Sequence, residues 1–226
     1  MILREGGSML DRHLPLYLVT DTAQCAPRSV VAVVARAVAG GITMVQVRDK
    51  EASARELLHL LTAVADAVGN EVPVLVNDRV DVFLAARAAG AQVAGVHVGQ
   101  SDLPADLTRA LVGPEAVVGL SAATTDELDA VAALPEGTVD YLGVGAVFAT
   151  ATKPDHPEPL GIGGFGALVT SRPLPCIAIG GIGAAHVRPL RDAGAAGVAV
   201  VSAVCTAEDP GAAAAALAQE WCSPGT

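Results

Sequence analysis

A polar run with two cations follows one apolar stretch of the chain. Its residues are Gln46, Val47, Arg48, Asp49 and Lys50. Alternate side chains of an extended segment point to the same side, so Gln46, Arg48 and Lys50 are expected to share one face. Two cations beside an amide match an anion such as a diphosphate. The alternative is that Arg48 and Lys50 pair with their acidic neighbours Asp49 and Glu51 on a solvated loop.

Two carboxylates follow later apolar stretches and have the chemistry of a site for a hard cation. Asp78 comes directly after Asn77, and Asp102 follows the stretch that ends near His97. Mg²⁺ takes one or two carboxylates and completes its octahedron with water and phosphate oxygens. A second interpretation stays open, in which Asp78 and Asp102 cap the helices that follow them. His97 itself is expected to be a hydrogen-bonded core group rather than a base.

Small and hydroxyl-bearing residues follow the last apolar stretches. Gly180 and Gly181 precede a helical segment, and Val201 and Ser202 follow the final stretch. Loops of this kind, with a helix N-terminus, bind phosphate through backbone N–H groups in many α/β barrels. A tight turn also requires glycine, so the glycine pair alone is weak evidence. Other residues placed after apolar stretches are Asn77, Ser121, Thr150, Ala151, Thr152 and Lys153.

The elements that must position these residues alternate between apolar runs and amphipathic segments. Continuous apolar runs are typical of strands buried on both faces of a parallel sheet. The runs span residues 14–20, 42–47, 72–76, 95–98, 116–120, 139–144, 175–179 and 197–201. Helical patterns lie between them, for example over 53–68, 80–89 and 125–134. Eight such units predict an α/β fold, a single (β/α)8 TIM barrel; an open doubly wound sheet would want a glycine-rich fingerprint after an early strand.

Composition narrows the class of protein. Hydrophobic residues make up 52%, aromatic residues 3%, and the net charge is −10, which favours a globular domain and argues against nucleic acid as a partner. Residues 1–12 are expected to be a flexible lead-in before a barrel over 13–222, with Met1 and Met9 both open as the first residue. The four cysteines lack paired spacing, and no signal peptide or membrane span is evident, so a cytoplasmic location is expected.

With these residues in order, the chain resembles the thiamine phosphate synthase family. The matching segments are GITMVQVRDK (41–50), VPVLVNDRVDVFLAARAAGAQVAGVHVGQSDLP (72–104), VVGLS (117–121), DYLGVGAVFATATKPD (140–155), AIGGI (178–182) and GVAVVSAV (197–204). The resemblance implies a transferase that joins hydroxymethylpyrimidine diphosphate to a thiazole phosphate and releases diphosphate. Family members use Mg²⁺ and a dissociative mechanism. These small-molecule substrates are the expected partners, with a homo-oligomer left open.

The resemblance also implies roles for individual residues. Arg48, Lys50 and Lys153 would act on the departing diphosphate, and Asp78 and Asp102 would bind Mg²⁺. The pyrimidine diphosphate would contact residues 46–50, Asn77, Ser121 and Lys153. The thiazole phosphate would contact Thr150, Thr152, Gly181, Val201 and Ser202. Ala151 is also expected to bind substrate.

Two features of the sequence bear on rival functions. A related thiazole tautomerase uses a histidine after the fifth strand, where this chain has Ala122 and Ala123. A sugar-phosphate epimerase would want metal ligands after strands two and three, and the Gln46–Arg48 segment does not supply them. A non-catalytic binder of thiamine phosphates is the alternative from another class.

The chain has only two lysines among its 14 basic residues, and both fall in the anion-binding motifs. A compact ammonium reaches one diphosphate oxygen where a planar guanidinium needs a wider approach. Lys153→Arg is therefore expected to lose at least about tenfold in kcat/KM, or about 1.4 kcal/mol, with an unchanged melting temperature. Steady-state kinetics test this, beside a charge-preserving control that the sequence places on a helix, Arg109→Lys. Near-normal activity of Lys153→Arg would show that charge alone matters.

Overall fold

Residue 10 and residues 12–150, 158–170 and 172–224 are described by the computed structural model of the chain. Within those ranges, eight parallel strands pair in chain order, and β8 pairs with β1 to close the sheet. The strands are β1 Leu16–Val19, β2 Met44–Val47, β3 Val74–Asn77, β4 Gly95–Val98, β5 Val117–Ala122, β6 Tyr141–Val144, β7 Cys176–Ile179 and β8 Gly197–Val200. The prediction of a single (β/α)8 barrel is confirmed.

Helices follow the strands and cover the outside of the barrel. They are α1 Thr22–Cys25, α2 Val30–Ala39, α3 Ala54–Val68, α4 Val80–Ala88, α5 Ala105–Val112, α6 Thr125–Ala132, α7 Gly161–Val169, α8 Ala184–Asp192, α9 Ser202–Cys205 and α10 Pro210–Cys222. Reciprocal capping boxes start α3, at Ser53 and Glu56, and α6, at Thr124 and Glu127. In the part of the chain that the structure describes, no helix has the length and apolar character needed to span a membrane.

Each predicted apolar run contains one strand of the barrel or most of one. The run at 95–98 is β4 itself, and β5 extends beyond its predicted end as far as Ala122. The predicted helices over 53–68, 80–89 and 125–134 correspond to α3, α4 and α6. The expected lead-in over 1–12, with Met1 and Met9, falls outside the described residues except at positions 10 and 12.

Alternation along the strands divides the core in two. Leu16 and Leu18 of β1 belong to the large cluster between the barrel and the helices. Tyr17 and Val19, the intervening residues, belong to a separate cluster with Met44 and side chains of other strands inside the barrel. Because successive strand residues point to opposite faces, every second residue of each strand faces the interior. The strands thus carry interior side chains directly to the carboxyl-terminal rim.

Arg109 lies on a helix, α5, as predicted, but its contacts make it unsuitable as a control position. Its side chain is 15% exposed and forms an ion pair with Asp140 at 2.6 Å. The guanidinium also donates to the carbonyls of Gly113 at 2.8 Å, Ala116 at 2.5 Å and Thr138 at 3.3 Å. A planar fork with several donors can serve these acceptors together, whereas an ammonium is a single point. Arg109 thus joins α5 to the strands beside it.

Arg109→Lys is therefore expected to destabilise the fold by about 2 kcal/mol, because buried carbonyls lose their donors. For a chain of this size the melting temperature should fall by roughly 4–8 °C. Arg188→Lys is the matched control, since Arg188 is 40% exposed and lies 4.0 Å from Glu220. Thermal unfolding of both variants tests the difference, and equal melting temperatures would contradict it. Arg188→Lys also replaces Arg109→Lys as the kinetic control for Lys153→Arg.

Candidate functional site

A cavity of about 580 Å³ opens at the carboxyl ends of the strands. This is the end of a (β/α)8 barrel at which ligands bind. Most of the residues predicted for the site line it: Gln46, Arg48, Lys50, Asn77, Asp78, Asp102, Ser121, Thr150, Gly181, Val201 and Ser202. Residues that lie far apart in the sequence therefore meet at one opening.

Two predicted site residues, Val47 and Asp49, do not line this cavity. Val47 is fully buried in the core between the barrel and the helices, so its side chain points away from the opening. Asp49 accepts hydrogen bonds from the backbone N–H groups of Glu51 and Ala52, both at 3.1 Å, and thereby fixes the turn after β2. Three further predicted residues, Ala151, Thr152 and Lys153, lie outside the described residues.

The two cations after β2 pair across the rim rather than with their neighbours in sequence. Arg48 lies 3.4 Å from Asp21, and Lys50 lies 2.5 Å from Asp78. The alternative in which they pair with the adjacent acids is therefore wrong. The Arg48 side chain is 19% exposed and that of Lys50 is 55% exposed, so the second cation stands in open solvent at the mouth.

Neither Asp78 nor Asp102 caps a helix. The N-cap of α4 is Arg79 and that of α5 is Pro104, and neither helix start has a side-chain cap. Asp78 instead has a positive φ of 59°, and its backbone N–H donates to the carbonyl of His97 at 2.7 Å. A left-handed backbone is uncommon outside glycine, although aspartate tolerates it better than most residues. The turn thus holds the Asp78 carboxylate at the rim at some conformational cost.

The Asp102 carboxylate accepts a hydrogen bond from the N–H of Gly99 at 2.7 Å and lies beside Asp78. Burial raises the pKa of Asp102 above its ordinary value, and the neighbouring charge of Asp78 raises it further, while Lys50 opposes the change. A carboxylate whose ionisation is disfavoured by burial and by a neighbouring carboxylate belongs to a site that a cation would stabilise. Within the described ranges, no three acidic, histidine or cysteine residues form a metal-binding group.

A chain of five polar side chains crosses the interior of the barrel beneath the rim. Gln46 Nε2 donates to Tyr17 Oη at 2.7 Å, and Tyr17 Oη lies 2.9 Å from Tyr141 Oη. Tyr141 Oη lies 2.9 Å from His97 Nδ1, and His97 Nε2 lies 2.9 Å from Ser121 Oγ. We call these residues the interior chain. Both of its ends line the cavity.

The sequence pattern identified Gln46 and Ser121 but missed the two tyrosines between them. A signal was present, because the chain has only two tyrosines and each stands in an otherwise apolar run. Burial raises the pKa of both phenols, so both keep their protons. The expectation that His97 is a hydrogen-bonded core group is confirmed, although it also lines the cavity. A Cβ at Gly119 would lie within about 2.5 Å of Tyr141 and His97, so glycine makes room for their contact.

The turn after β7 is built on a close approach to the loop after β6. Gly181 has a φ of +63°, and a Cβ on it would lie 2.6 Å from the carbonyl oxygen of Ala149 and 2.8 Å from Phe148 Cβ. The Phe148 ring stacks on that of His186, with centroids 4.1 Å apart. His186 Nδ1 accepts from the N–H of Gly183 at 3.1 Å, at the start of α8. The loops after β6 and β7 therefore form one wall of the cavity.

Comparison with known proteins identifies what the chain is similar to. The family model described as thiamine monophosphate synthase matches residues 16–204. A thiamine-phosphate synthase of Vibrio parahaemolyticus is 45% identical over 196 residues, which cover 86% of this chain and 92% of that protein. One of Chloroflexus aurantiacus is 46% identical over 200 residues, covering 88% of each chain.

Among solved structures, a thiamine phosphate pyrophosphorylase from Pyrococcus furiosus matches with a TM-score of 0.81 and 32% identity. The match covers 93% of this chain and 96% of that one. A 3-hexulose-6-phosphate synthase matches with a TM-score of 0.66 and 18% identity, covering 91% of this chain and 99% of the other. The second likeness shows only the shared barrel fold.

Gly181→Ala is expected to lower stability by more than a left-handed backbone alone would cost, because its methyl would meet Ala149 and Phe148. Gly90→Ala is the matched control, because Gly90 follows the end of α4 with a φ of +86° and has open space around the added Cβ. Backbone strain should cost about 1–2 kcal/mol in both variants, and the contacts should add about 1–3 kcal/mol in Gly181→Ala. Urea unfolding measures both. Equal losses would show that the loop after β6 yields without cost.

Proposed function

The chain belongs to the thiamine monophosphate synthase family, and on that premise we propose that it joins hydroxymethylpyrimidine diphosphate to a thiazole phosphate, either the ethyl or the carboxyethyl form. The products are thiamine phosphate and diphosphate. As a family member the chain is a transferase of thiamine biosynthesis.

The main support for this proposal is that cations and carboxylates face each other at one rim of the barrel. Lys50 and Asp78 are in contact at 2.5 Å, Arg48 lies close by on the same strand end, and Asp102 adjoins Asp78. A diphosphate needs cations on its oxygens, and a divalent metal needs carboxylates; both sets meet at the mouth of one cavity. A diphosphate bound here would replace Asp78 as the partner of Lys50, and both carboxylates would then be available to a metal ion.

The donor set fits Mg²⁺. Asp78 and Asp102 supply two hard oxygen donors, and the pKa of Asp102, which burial and Asp78 raise, is one that a bound cation would lower. One or two carboxylates are the usual protein contribution to a magnesium site, with water and substrate phosphate oxygens completing it. When bound, the metal would offset negative charge on the departing diphosphate.

The chain's own residues have separate tasks in the reaction. The carbon–oxygen bond between the pyrimidine methylene and the diphosphate breaks, and its electron pair leaves with the diphosphate. Arg48 and Lys50 stabilise that charge, together with Lys153 by resemblance. The aminopyrimidine ring stabilises the methylene cation, and the thiazole nitrogen then donates its lone pair to form the new carbon–nitrogen bond. The protein therefore contributes orientation and charge stabilisation more than proton transfer.

The second substrate has a matching wall in the cavity. Thr150, Gly181, Val201 and Ser202 line it after β6, β7 and β8. Loops seven and eight of such barrels commonly hold a phosphate, with backbone N–H groups and the start of a helix. We assign the thiazole phosphate to this wall, which leaves the opposite side, at Arg48 and Lys50, for the diphosphate.

The strand-five segment supports the synthase over the related tautomerase. Ala122 is buried, and the Ala123 N–H donates to Glu127 Oε2 at 2.6 Å at the start of α6. The tautomerase's histidine has no counterpart at these two alanines, whereas the diphosphate-binding cations are present. This comparison favours transfer of the pyrimidine group as the reaction.

A turnover assay tests the function directly. Purified protein is mixed with both substrates, with and without Mg²⁺, and thiamine phosphate and diphosphate are quantified. Equal amounts of the two products, formed only with Mg²⁺, are expected. Isomerisation of the thiazole without condensation would favour the tautomerase, and binding without turnover would favour a non-catalytic binder.

Asp78→Asn and Asp102→Asn are each expected to abolish Mg²⁺-dependent turnover while leaving the fold intact. Asparagine tolerates the positive φ at position 78, and its side-chain oxygen keeps the contact of position 102 with the Gly99 N–H. The double variant should be scarcely slower than either single one, because both carboxylates serve one site. Initial rates across a Mg²⁺ titration measure this. Losses that add in log rate would contradict a shared metal.

A further inference from the structure

The interior chain has a direction that follows from counting protons. Gln46 donates through Nε2, so Tyr17 Oη is an acceptor in that contact. A phenol has one proton, and the other contact shown for Tyr17 Oη is Tyr141 Oη at 2.9 Å. Tyr17 must therefore donate to Tyr141, because a buried hydroxyl proton without a partner costs about 1–3 kcal/mol.

The same count continues to the far end. Tyr141 accepts from Tyr17, so its own proton goes to His97 Nδ1 at 2.9 Å. When Nδ1 of a neutral imidazole accepts a hydrogen bond, the ring proton is on Nε2. That proton is donated to Ser121 Oγ at 2.9 Å. Ser121 Oγ therefore accepts from the protein and keeps its own proton for another partner.

We propose that Tyr17, Tyr141 and His97 are positioning residues that make Ser121 Oγ a hydrogen-bond donor toward the substrate. Ser121 lines the cavity, and the first residue of the interior chain, Gln46, lines it too. A ligand group that accepts a hydrogen bond, such as a ring nitrogen of a pyrimidine, is favoured at Ser121. The identity of that ligand rests on the proposed function; the direction of the interior chain does not.

Two glycines leave room for the side chains of the interior chain. Gly119 of β5 stands where a Cβ would meet Tyr141 and His97 Nδ1, and a Cβ on Gly143 of β6 would lie 3.1 Å from His97 Cε1. The two glycines open room for the imidazole between strands β4, β5 and β6. Since the ring is enclosed and contacts a phenol and a serine, its two nitrogens have fixed and different partners.

The first test is ¹⁵N NMR of histidine-labelled protein without substrate, with the His97 signals assigned by their loss in His97→Gln. The expected result is a neutral ring with its proton on Nε2 and none on Nδ1. A proton on Nδ1, or on both nitrogens at neutral pH, would overturn the proposal.

The second test reverses the direction of the hydrogen bonds in the interior chain by a substitution at its Gln46 end. An ionised glutamate at position 46 can only accept, so Tyr17 would donate to it, Tyr141 would donate to Tyr17, and His97 would donate from Nδ1. Gln46→Glu should therefore move the His97 proton from Nε2 to Nδ1. The ¹³C shift of the carboxyl introduced by this substitution is followed over pH to show where it ionises. A tautomer that stays unchanged once the carboxyl is ionised would refute the coupling.

The third test is kinetic and separates positioning from mere structural support. Tyr141→Phe should raise the KM of the pyrimidine diphosphate on the order of tenfold, the size of one lost hydrogen bond, with little change in the KM of the thiazole phosphate. Tyr17→Phe, one step further from Ser121, should have a smaller effect. Tyr141→Phe combined with Ser121→Ala should be no worse than Ser121→Ala alone. Additive losses, or equal effects on both substrates, would mean that Tyr141 only supports the fold.

These outcomes separate the two proposals. Turnover of both substrates by a protein with the Nδ1 tautomer would reject the directed chain and keep the proposed function. The Nε2 tautomer, reversed by Gln46→Glu, in a protein that does not form thiamine phosphate would keep the directed chain and reject the proposed function.

Discussion

Closure of the sheet between β1 and β8 is the constraint on which the site depends. The pairing of Leu16 with Val198 and Leu18 with Val200 leaves no open edge between these strands and brings their ends to a common rim. Closure also brings together Tyr17 and Tyr141, which lie far apart in the sequence, so that their hydroxyl oxygens are 2.9 Å apart inside the barrel. An open sheet of the same strands would not enclose that contact. The charged rim and the buried interior chain both follow from this geometry.

The strands and the positions of most site residues were predictable because both depend on local patterns. A strand buried on both faces is a continuous apolar run, and in a parallel barrel whatever polar group follows it lies at the rim. Gln46, Asn77 and Ser121 were found in this way. The limit of the rule is Val47, which is next to Gln46 in sequence but faces the helices instead of the cavity.

The contacts that were not predictable depend on register and on the path of the chain through a turn. Lys50 and Asp78 are 2.5 Å apart because β2 and β3 are adjacent and Asp78 adopts a positive φ, which no pattern around it indicates. An arginine in a helical segment is expected to be exposed, yet α5 places the Arg109 guanidinium among backbone carbonyls next to the strands. The partners of Tyr17 and Tyr141 required the barrel's register as well as its strand order.

The cavity has charged side chains at its mouth and uncharged polar side chains deeper inside. Lys50 is half-exposed at the mouth, where an ion stays hydrated until a ligand replaces the water, whereas Arg48 is largely buried and is paired with Asp21. The interior chain consists of an amide, two phenols, an imidazole and a hydroxyl, which can be buried because their hydrogen bonds are paired. A ligand with an ionised tail and an uncharged ring matches this arrangement in one orientation only. Under the proposed function, reversal would bury the phosphates against the interior chain and leave the ring among charges, so the fold would select the direction of binding before any reaction occurs.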